Sequence, residues 1–368
     1  MIFKAFSRKI RNAGAFYAVA IAAIIVATSC VLPSEGSPGV VAVTTFAGST
    51  GVIGSNDATG TAATFNCPRG LAVDSSGNLY VADSANNKIR TITSAGVVAT
   101  LAGSGTGGWA DGAGIAAEFN EQEGVAVDAS GNVYVADRQN NRIRKITPVG
   151  AVSTLAGSGA TGSDDGSGAA ATFNWPCSVA VDASGSTIYV ADTDNNLIRK
   201  ITVSGGVATV STFAGSVTPG SADGMGTAAS FDGPEGLTID SSGNLYVADI
   251  FNHKIRKITP GGLVTTFAGS GAQGSADGTG TAATFNRPAN LAVDASGNLY
   301  VTDYKNNRMR KIASSGLVTT LLESGVWESA NGTVAAMTFA NPFGVAVDGS
   351  GNVYVAETYN HIIRKIAQ

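Results

Sequence analysis

The chain contains 368 residues, of which 48 are glycine, and its formal net charge is −4. A hydrophobic content of 44% beside only 14% charged residues excludes a disordered chain, which needs the opposite balance. The glycines have no three-residue period, which excludes collagen. Frequent turn residues together with Val, Ile and Thr favour an all-β fold.

The first 29 residues have the pattern of an export signal. Residues 1–14 carry four basic residues and no acidic one, and residues 15–29 form an almost uninterrupted apolar run. Fifteen residues of helix span about 22 Å, which is less than the roughly 30 Å hydrocarbon core of a membrane. A basic start, a short apolar stretch and small residues at its end predict a signal peptide over residues 1–29.

The end of this signal resembles the lipobox of bacterial lipoproteins. Residues 26–30 read VATSC, with Ala27 where that motif usually has a larger branched residue. The resemblance implies lipidation of Cys30, and residues 30–40 then form a flexible tether. We therefore expect an exported protein that is lipid-anchored to a bacterial membrane, in the periplasm or at the cell surface. Secretion after ordinary cleavage is the alternative.

The remaining residues, 41–368, consist of one repeat. The string AVD-x-SGN-x-YVAD occurs in six near copies that are 54 to 58 residues apart. The first aspartates of the copies are Asp74, Asp128, Asp182, Asp240, Asp294 and Asp348. Each copy carries four short apolar runs separated by turns, which predicts the four antiparallel strands of a β-propeller blade. A linear solenoid would need shorter repeats and atypical terminal units.

The two ends of the repeat region complete each other. The sixth copy ends after its third strand, and residues 41–48, VAVTTFAG, match the fourth strands of the other copies. An N-terminal strand that completes the last blade would close the ring and remove its open edges. The predicted fold is a closed six-bladed β-propeller.

The repeat resembles the NHL repeat in the pattern P-x-G-L-A-V-D-x-x-G-N-L-Y-V-A-D-x-x-N-N-x-I-R-K-I at residues 68–92 and in five further copies. Departures include Gln122 in place of Pro and Glu357 in place of Asp. The resemblance implies a six-bladed propeller, here of a bacterial exported protein. Members of this family include binding modules, extracellular sensor domains and a few lyases.

Several motifs have a structural interpretation. An acidic residue lies seven positions before an arginine in every copy, which predicts one buried ion pair per blade. The pairs are Asp83–Arg90, Asp137–Arg144, Asp192–Arg199, Asp249–Arg256, Asp303–Arg310 and Glu357–Arg364. The G-x-G-x-x-G strings lack a following helix and are loop glycines, and the acidic loops around Asp165 and Asp277 are turns. Cys67 and Cys177 lie in non-adjacent blades and are expected to be free thiols.

Positions that differ among the six copies are free to bind a ligand. They lie in the fourth-to-first and second-to-third loops, which share one face of a propeller. Rigid aromatic side chains on such loops favour recognition. We expect the aromatic members to cluster at one mouth of the channel with Arg69, Glu123 and Glu235 at its rim. The candidate ligand-binding residues are Arg69, Glu123, Trp175, Glu235, Phe251, Arg287, Tyr304, Phe343 and Tyr359.

Charge and residue types narrow the function. Without the signal, 19 basic and 27 acidic residues give a net charge of −8, which disfavours nucleic acid as a partner. We expect a monomeric, non-catalytic recognition or scaffold propeller that binds a protein, peptide or glycan, with no cofactor or metal. The alternative is a metal-dependent lyase or lactonase, for which Glu121, Glu123, Glu235 and Asn290 would supply the ligands.

Overall fold

The computed structural model describes residues 42–323, 332–333 and 339–368, which form six antiparallel sheets. The predicted signal peptide, Cys30, the tether and Trp327 lie outside these residues. Within the described ranges, no helix is long and apolar enough to cross a membrane. Each sheet corresponds to one copy of the repeat, so the sheets are numbered here as blades 1 to 6 in chain order.

Every blade contains four main strands, and their order in the sheet goes from the axis to the periphery. The strands of blades 1 to 3 are Pro68–Val73, Leu79–Asp83, Lys88–Ile92 and Val98–Ala102; Val125–Val127, Val133–Asp137, Arg142–Ile146 and Ala151–Ala156; Pro176–Val181, Thr187–Asp192, Leu197–Ser204 and Val207–Gly215. Those of blades 4 to 6 are Pro234–Ile239, Leu245–Asp249, Lys254–Ile258 and Leu263–Ala268; Pro288–Val293, Leu299–Asp303, Arg308–Ile312 and Leu317–Glu323; Pro342–Val347, Val353–Glu357, Ile362–Ala367 and Ala42–Ala47.

Shorter elements decorate the loops. Five two-residue strands pair with outer strands of blades 2 to 6, namely Gly112–Ala113, Gly166–Ser167, Gly224–Met225, Gly278–Thr279 and Gly332–Thr333. The 3₁₀ turns are Gly60–Ala62, Ser84–Asn86, Gly114–Ala116, Arg138–Asn140, Thr193–Asn195, Gly226–Ala228, Gly280–Ala282, Tyr304–Asn306 and Thr358–Asn360.

The predicted ring closure is confirmed. Strand Ala42–Ala47 pairs antiparallel with Ile362–Ala367, so that Val43 lies opposite Ile366. The same N-terminal strand pairs on its other side with Gly332–Thr333. The first strand of the sequence therefore is the outer strand of the last blade, and it hides an edge that would otherwise be open.

The hydrophobic core lies between the blades. Alternating strand residues point to the two faces of each blade, and six buried clusters fill the six interfaces. The cluster between blades 6 and 1 joins Ala356 and Ile363 to Phe65 and Leu71. Packing between neighbours therefore holds the ring together, since each sheet buries both of its faces.

The predicted ion pair occurs in every blade, and in blades 1 to 5 the arginine also binds a second aspartate from a loop. Arg90 donates from Nη1 to Asp83 at 2.7 Å and from Nη2 to Asp57 at 2.6 Å, with its guanidinium over the Phe65 ring. Asp83 and Arg90 are fully buried, whereas the Asp57 side chain is half exposed. The other loop aspartates that make the second contact are Asp111, Asp165, Asp223 and Asp277. The acidic loops thus clamp arginines as well as forming turns.

Candidate functional site

The six inner strands surround an axial channel of about 270 Å³. Small residues allow these strands to approach: a Cβ on Gly124 would lie 2.6 Å from the Cα of Ser178 in the next blade. The channel wall contains Leu71, Val125 and Leu237, with polar side chains at Ser178 and Asn290. Most side chains of the channel wall are small or aliphatic, so they offer few groups that could distinguish one ligand from another. Residues that could select a ligand lie at the mouths.

One mouth carries the repeat position directly after the proline that opens the P-x-G-L-A-V-D pattern, a proline that is replaced by Gln122 in blade 2. Its six residues are Arg69, Glu123, Cys177, Glu235, Ala289 and Phe343, one from each blade in order. This set is called the axial ring below. The opposite mouth is lined by the D-x-SGN hairpins, including Asp74 and Asp128. There the carboxylates are occupied: Oδ1 of Asp74 accepts the amides of Ser76 and Asn78 within its own turn.

Two arginine side chains converge on the carboxylate of Glu123 in the axial ring. Its Oε2 accepts a 2.6 Å hydrogen bond from Nη1 of Arg69 and lies 3.3 Å from Nε of Arg138. The side chain is only 2% exposed. The carboxylate of Glu123 first, and then that of Glu235, raises the pKa of Arg69, which stays charged. Arginine therefore fixes one oxygen of this carboxylate, which also forms a hydrogen bond with the carboxyl group of Glu235.

Two further groups lie beside Glu123. Ligand atoms of Glu123, Cys177 and Glu235 are all within 4.8 Å of one another. Burial, and next the neighbouring Glu123 carboxylate, raise the pKa of Glu235 well above its ordinary value. Burial does the same for the Cys177 thiol, whose Sγ lies 3.4 Å from the Trp175 carbonyl oxygen. Without a bound cation, this cluster favours protons on Glu235 and Cys177.

Aromatic and basic side chains extend from this cluster across the face. The Arg138 guanidinium lies 4.0 Å from the Trp175 ring centroid, and that of Arg69 lies 5.3 Å from the Phe343 ring. Phe343 in turn contacts Tyr304 edge-on, with ring centroids 6.0 Å apart. Contacts thus lead from blade 3 through blades 2, 1 and 6 to blade 5 along one surface.

The structure brings most of the sequence-derived candidates together. Seven of the nine belong to the connected group: Arg69, Glu123, Trp175, Glu235, Tyr304, Phe343 and Tyr359. Tyr359 joins through Tyr304, which is the first cause of its raised pKa. Phe251 and Arg287 form a separate pair, with the guanidinium 5.3 Å from the ring.

Placement differs from expectation at Glu123, which is buried beneath two arginines and does not lie at a rim. Sequence reasoning also left Arg138 and Cys177 out of the candidates, although both occupy variable positions. Of the ligand set considered for an enzyme, Glu121 is half exposed and lies 3.8 Å from Arg138. The side-chain oxygen of Asn290, which lines the channel, accepts a hydrogen bond from the Leu291 backbone amide.

The same face carries a repeated link between blades. In four blades, a left-handed asparagine at the end of the second-to-third loop accepts a backbone amide of the next blade, as Asn87 does from Glu121 at 3.0 Å. His253 and His361 replace this asparagine and accept through Nδ1 from Arg287 and Cys67. The histidines, expected to be turn substitutions, therefore also join blades.

These features define a closed β-propeller with one uniform mouth and one variable, aromatic and charged mouth. The model of the NHL repeat matches residues 65–92, 119–146, 285–312 and 339–366, and the model of the SMP-30/Gluconolactonase/LRE-like region matches residues 168–272. The chain belongs to the NHL-repeat propeller family.

Two relatives that the chain matches are longer proteins. The chain is 31% identical over 280 residues to Protein SUPPRESSOR OF QUENCHING 1, chloroplastic, of Arabidopsis thaliana, covering 72% of this chain and 26% of that protein. It is 29% identical to human NHL repeat-containing protein 2, covering 78% and 44%. The chain therefore spans less than half the length of these relatives.

A solved structure of similar fold is that of an auxiliary nutrient binding protein from Bacteroides ovatus, with a TM-score of 0.67 at 17% identity. The match covers 89% of this chain and 76% of that one.

Proposed function

We propose that this protein is a non-catalytic recognition propeller that binds a protein, peptide or glycan at its variable mouth. The observation that carries the proposal is the contact path from Trp175 through Arg138, Glu123 and Arg69 to Phe343. Four blades contribute to this path, at positions where the repeat does not require those residues. Side chains in mutual contact form one site, whereas scattered substitutions would not.

The chemistry of the surface suits such a ligand. Trp175, Phe251 and Tyr359 are 39%, 50% and 58% exposed, so their rings offer apolar area that a partner would bury. Arg69 and Arg138 are held by Glu123, which reduces the side-chain entropy lost on binding. Pre-ordered aromatic and arginine side chains are the usual centres of binding energy.

Localisation forms part of the proposal. The signal pattern of residues 1–29 and the cysteine at 30 support an exported protein held at a bacterial membrane by a lipid. The similarity to a nutrient-binding propeller agrees with a role outside the cytoplasm. Detergent-phase partitioning of the full chain and of its Cys30→Ser variant tests the anchor. Equal partitioning of the two would rule it out.

The binding proposal is tested with peptide and glycan arrays probed by the purified full chain. Hits are then measured by calorimetry with Trp175→Ala and Phe343→Ala, and with Ser130→Ala, an exposed hairpin position at the opposite mouth. We expect affinity losses of about tenfold or more for the two aromatic variants, in line with recognition residues, and none for the hairpin variant. Equal effects at the two mouths would contradict the proposal.

A second candidate is the metal-dependent lyase or lactonase. The convergence of Glu123, Cys177 and Glu235 and the match of residues 168–272 to the gluconolactonase-like model favour it. Turnover of lactone substrates by the metal-loaded chain, abolished by Glu235→Gln, would support this candidate.

A further inference from the structure

We propose that Arg287 and Lys305 of blade 5 form an anion-binding subsite at the variable mouth, which takes the carboxylates of an acidic polypeptide segment. The proposal rests on the recognition function proposed above and names the chemistry of the partner. Both side chains are exposed. The backbone amide of Lys305 donates a 3.0 Å hydrogen bond to the carbonyl oxygen of Asn286, the residue before Arg287. The two side chains therefore start from neighbouring points of one surface.

The other basic side chains at the variable face are already bound to the protein. Arg69 and Arg138 pair with Glu123. In four blades, the basic residue at the start of the third strand uses its charged group to hold a fourth-to-first loop. These residues are Lys88, Arg142, Lys254 and Arg308. By contrast, the charged groups of Arg287 and Lys305 form no ion pair or hydrogen bond within the part of the chain that the structure describes.

Aromatic rings hold these two cations in place. The Arg287 guanidinium lies 5.3 Å from the centroid of the Phe251 ring, and the Lys305 ammonium lies 4.4 Å from that of Tyr304. Phe251 packs over Gly233, where a Cβ would lie 2.6 Å from the ring, so glycine makes room for it. Cations that are already held against rings lose less side-chain entropy when they bind an anion.

Arg287 occupies a backbone position that favours glycine. Its φ is +53°, and its amide donates a 3.0 Å hydrogen bond to Nδ1 of His253. The equivalent residue in blade 4 is Gly233, which adopts the same left-handed conformation without the steric cost of a Cβ. The fold therefore does not require an arginine at this position. Binding of an outside anion accounts both for the unfavourable conformation and for the unpaired charge.

Charge favours an acidic partner. The hairpins of the uniform mouth contain six aspartates and no Lys or Arg, and residues 30–368 carry a net charge of −8. Two unpaired cations at the variable mouth are an exception on this surface, and they attract carboxylates there.

The aromatic rings favour a polypeptide over a glycan. The Arg287 and Lys305 cations lie over the rings of Phe251 and Tyr304, which leaves less ring surface on which a sugar could stack. A polypeptide can pair its carboxylates with the two cations and place apolar side chains against the exposed part of Phe251.

The test measures, by fluorescence polarisation, how the full chain binds a labelled octapeptide of six glutamates and two leucines. We expect binding that weakens as salt rises. The matched peptide with glutamine in place of glutamate should bind at least about tenfold more weakly, because it lacks the charges. Arg287→Gln and Lys305→Gln should each weaken binding of the acidic peptide about tenfold.

Lys88→Gln is the matched control, since it removes one positive charge from the same face at a side chain that holds a loop. It should change the affinity by about twofold or less, and circular dichroism verifies that all variants are folded. Equal affinity for the two peptides, no binding of the acidic one, or unchanged binding by Arg287→Gln would overturn the proposal. Tighter binding of a hexameric oligogalacturonate, which carries the same number of carboxylates, would also overturn it.

One further variant separates this proposal from the recognition function on which it rests. Binding of the acidic peptide that depends on Arg287 but not on Trp175 would support the subsite and contradict the contact path assigned to recognition. Ligands from the arrays that need Trp175 but neither Arg287 nor Lys305 would support recognition and reject the subsite.

Discussion

The backbone amide of Cys67 in blade 1 donates a 3.0 Å hydrogen bond to Nδ1 of His361 in blade 6. These residues are 294 positions apart, so the bond links the two ends of the repeat region directly. His253 makes the equivalent bond to the Arg287 amide between blades 4 and 5. Only an unprotonated ring nitrogen can accept, so two seams of the ring depend on neutral histidines.

Stability should therefore fall in acid. Burial is the first cause that lowers the pKa of both histidines from 6.5, and Arg287 lowers that of His253 further. The unfolded chain then takes up protons before the folded one does. The contribution of the histidines is complete above the unfolded pKa and is lost as pH falls through the folded value.

The double variant His253→Asn, His361→Asn is the matched control, because asparagine fills this position in the other four blades. Urea unfolding below pH 6.5 should show the wild type losing stability relative to this variant. Parallel pH dependence of the two proteins would contradict the role assigned to the histidines.

Ring closure predicts that substitutions at two adjacent residues of the N-terminal strand have very different effects on the free energy of unfolding. Val43 is 1% exposed and packs between blades 5 and 6, whereas Thr44 is exposed. Val43→Asp buries an unpaired charge and should cost on the order of 3 kcal/mol or more. Thr44→Asp should change the free energy of unfolding by about 0.5 kcal/mol or less. Urea denaturation measures both, and similar losses would indicate that the strand is not packed as described.

The arginine clamp predicts unequal roles for its two carboxylates. Arg256 binds the fully buried Asp249 and the half-exposed Asp223. Arg256→Met leaves Asp249 buried without its counter-ion and should destabilise the protein by about 3–5 kcal/mol. Asp223→Asn removes a carboxylate charge that is half exposed to solvent and leaves Arg256 paired with Asp249, so it should cost about 0.2–1 kcal/mol. Thermal and urea unfolding would show the difference; equal costs would mean that burial does not set the strength of these contacts.

The repeat itself made the fold predictable. Six copies multiply one weak strand pattern into a clear signal, and the displaced outer strand at residues 42–47 shows how the ring closes. The clamp was predictable only in part. Its first pair lies seven residues apart within a hairpin, but Asp57 and Arg90 are 33 residues apart and meet through the path of a loop. No local pattern encodes that path.

The sequence predicted which positions belong to the site, but it did not predict which of those side chains would be in contact. Comparing the copies identified Glu123 and Glu235 as variable residues of the axial ring. Cys177 was overlooked because a lone cysteine beside a proline gives no chemical signal until the ring places it between two carboxylates. Arg138 comes from the adjacent loop, and its contact with Trp175 of the next blade depends on how the two blades are angled.

The Arg69–Glu123 ion pair gives the last prediction. It connects blades 1 and 2 at the variable mouth, with side chains that are 28% and 2% exposed. Because Glu123 is shielded from water, its attraction to Arg69 is screened less than that of a surface pair. A double-mutant cycle with Arg69→Met and Glu123→Gln should give a coupling free energy of about 1–3 kcal/mol, as residues in one network do. The corresponding cycle for Arg138 and the half-exposed Glu121, whose charged atoms are 3.8 Å apart, should give about 0.5 kcal/mol or less. Urea unfolding of the single and double variants supplies both values. A coupling near zero for the first pair would show that solvent reaches Glu123. Such a result would contradict the role of this carboxylate in holding the residues of the variable mouth in place.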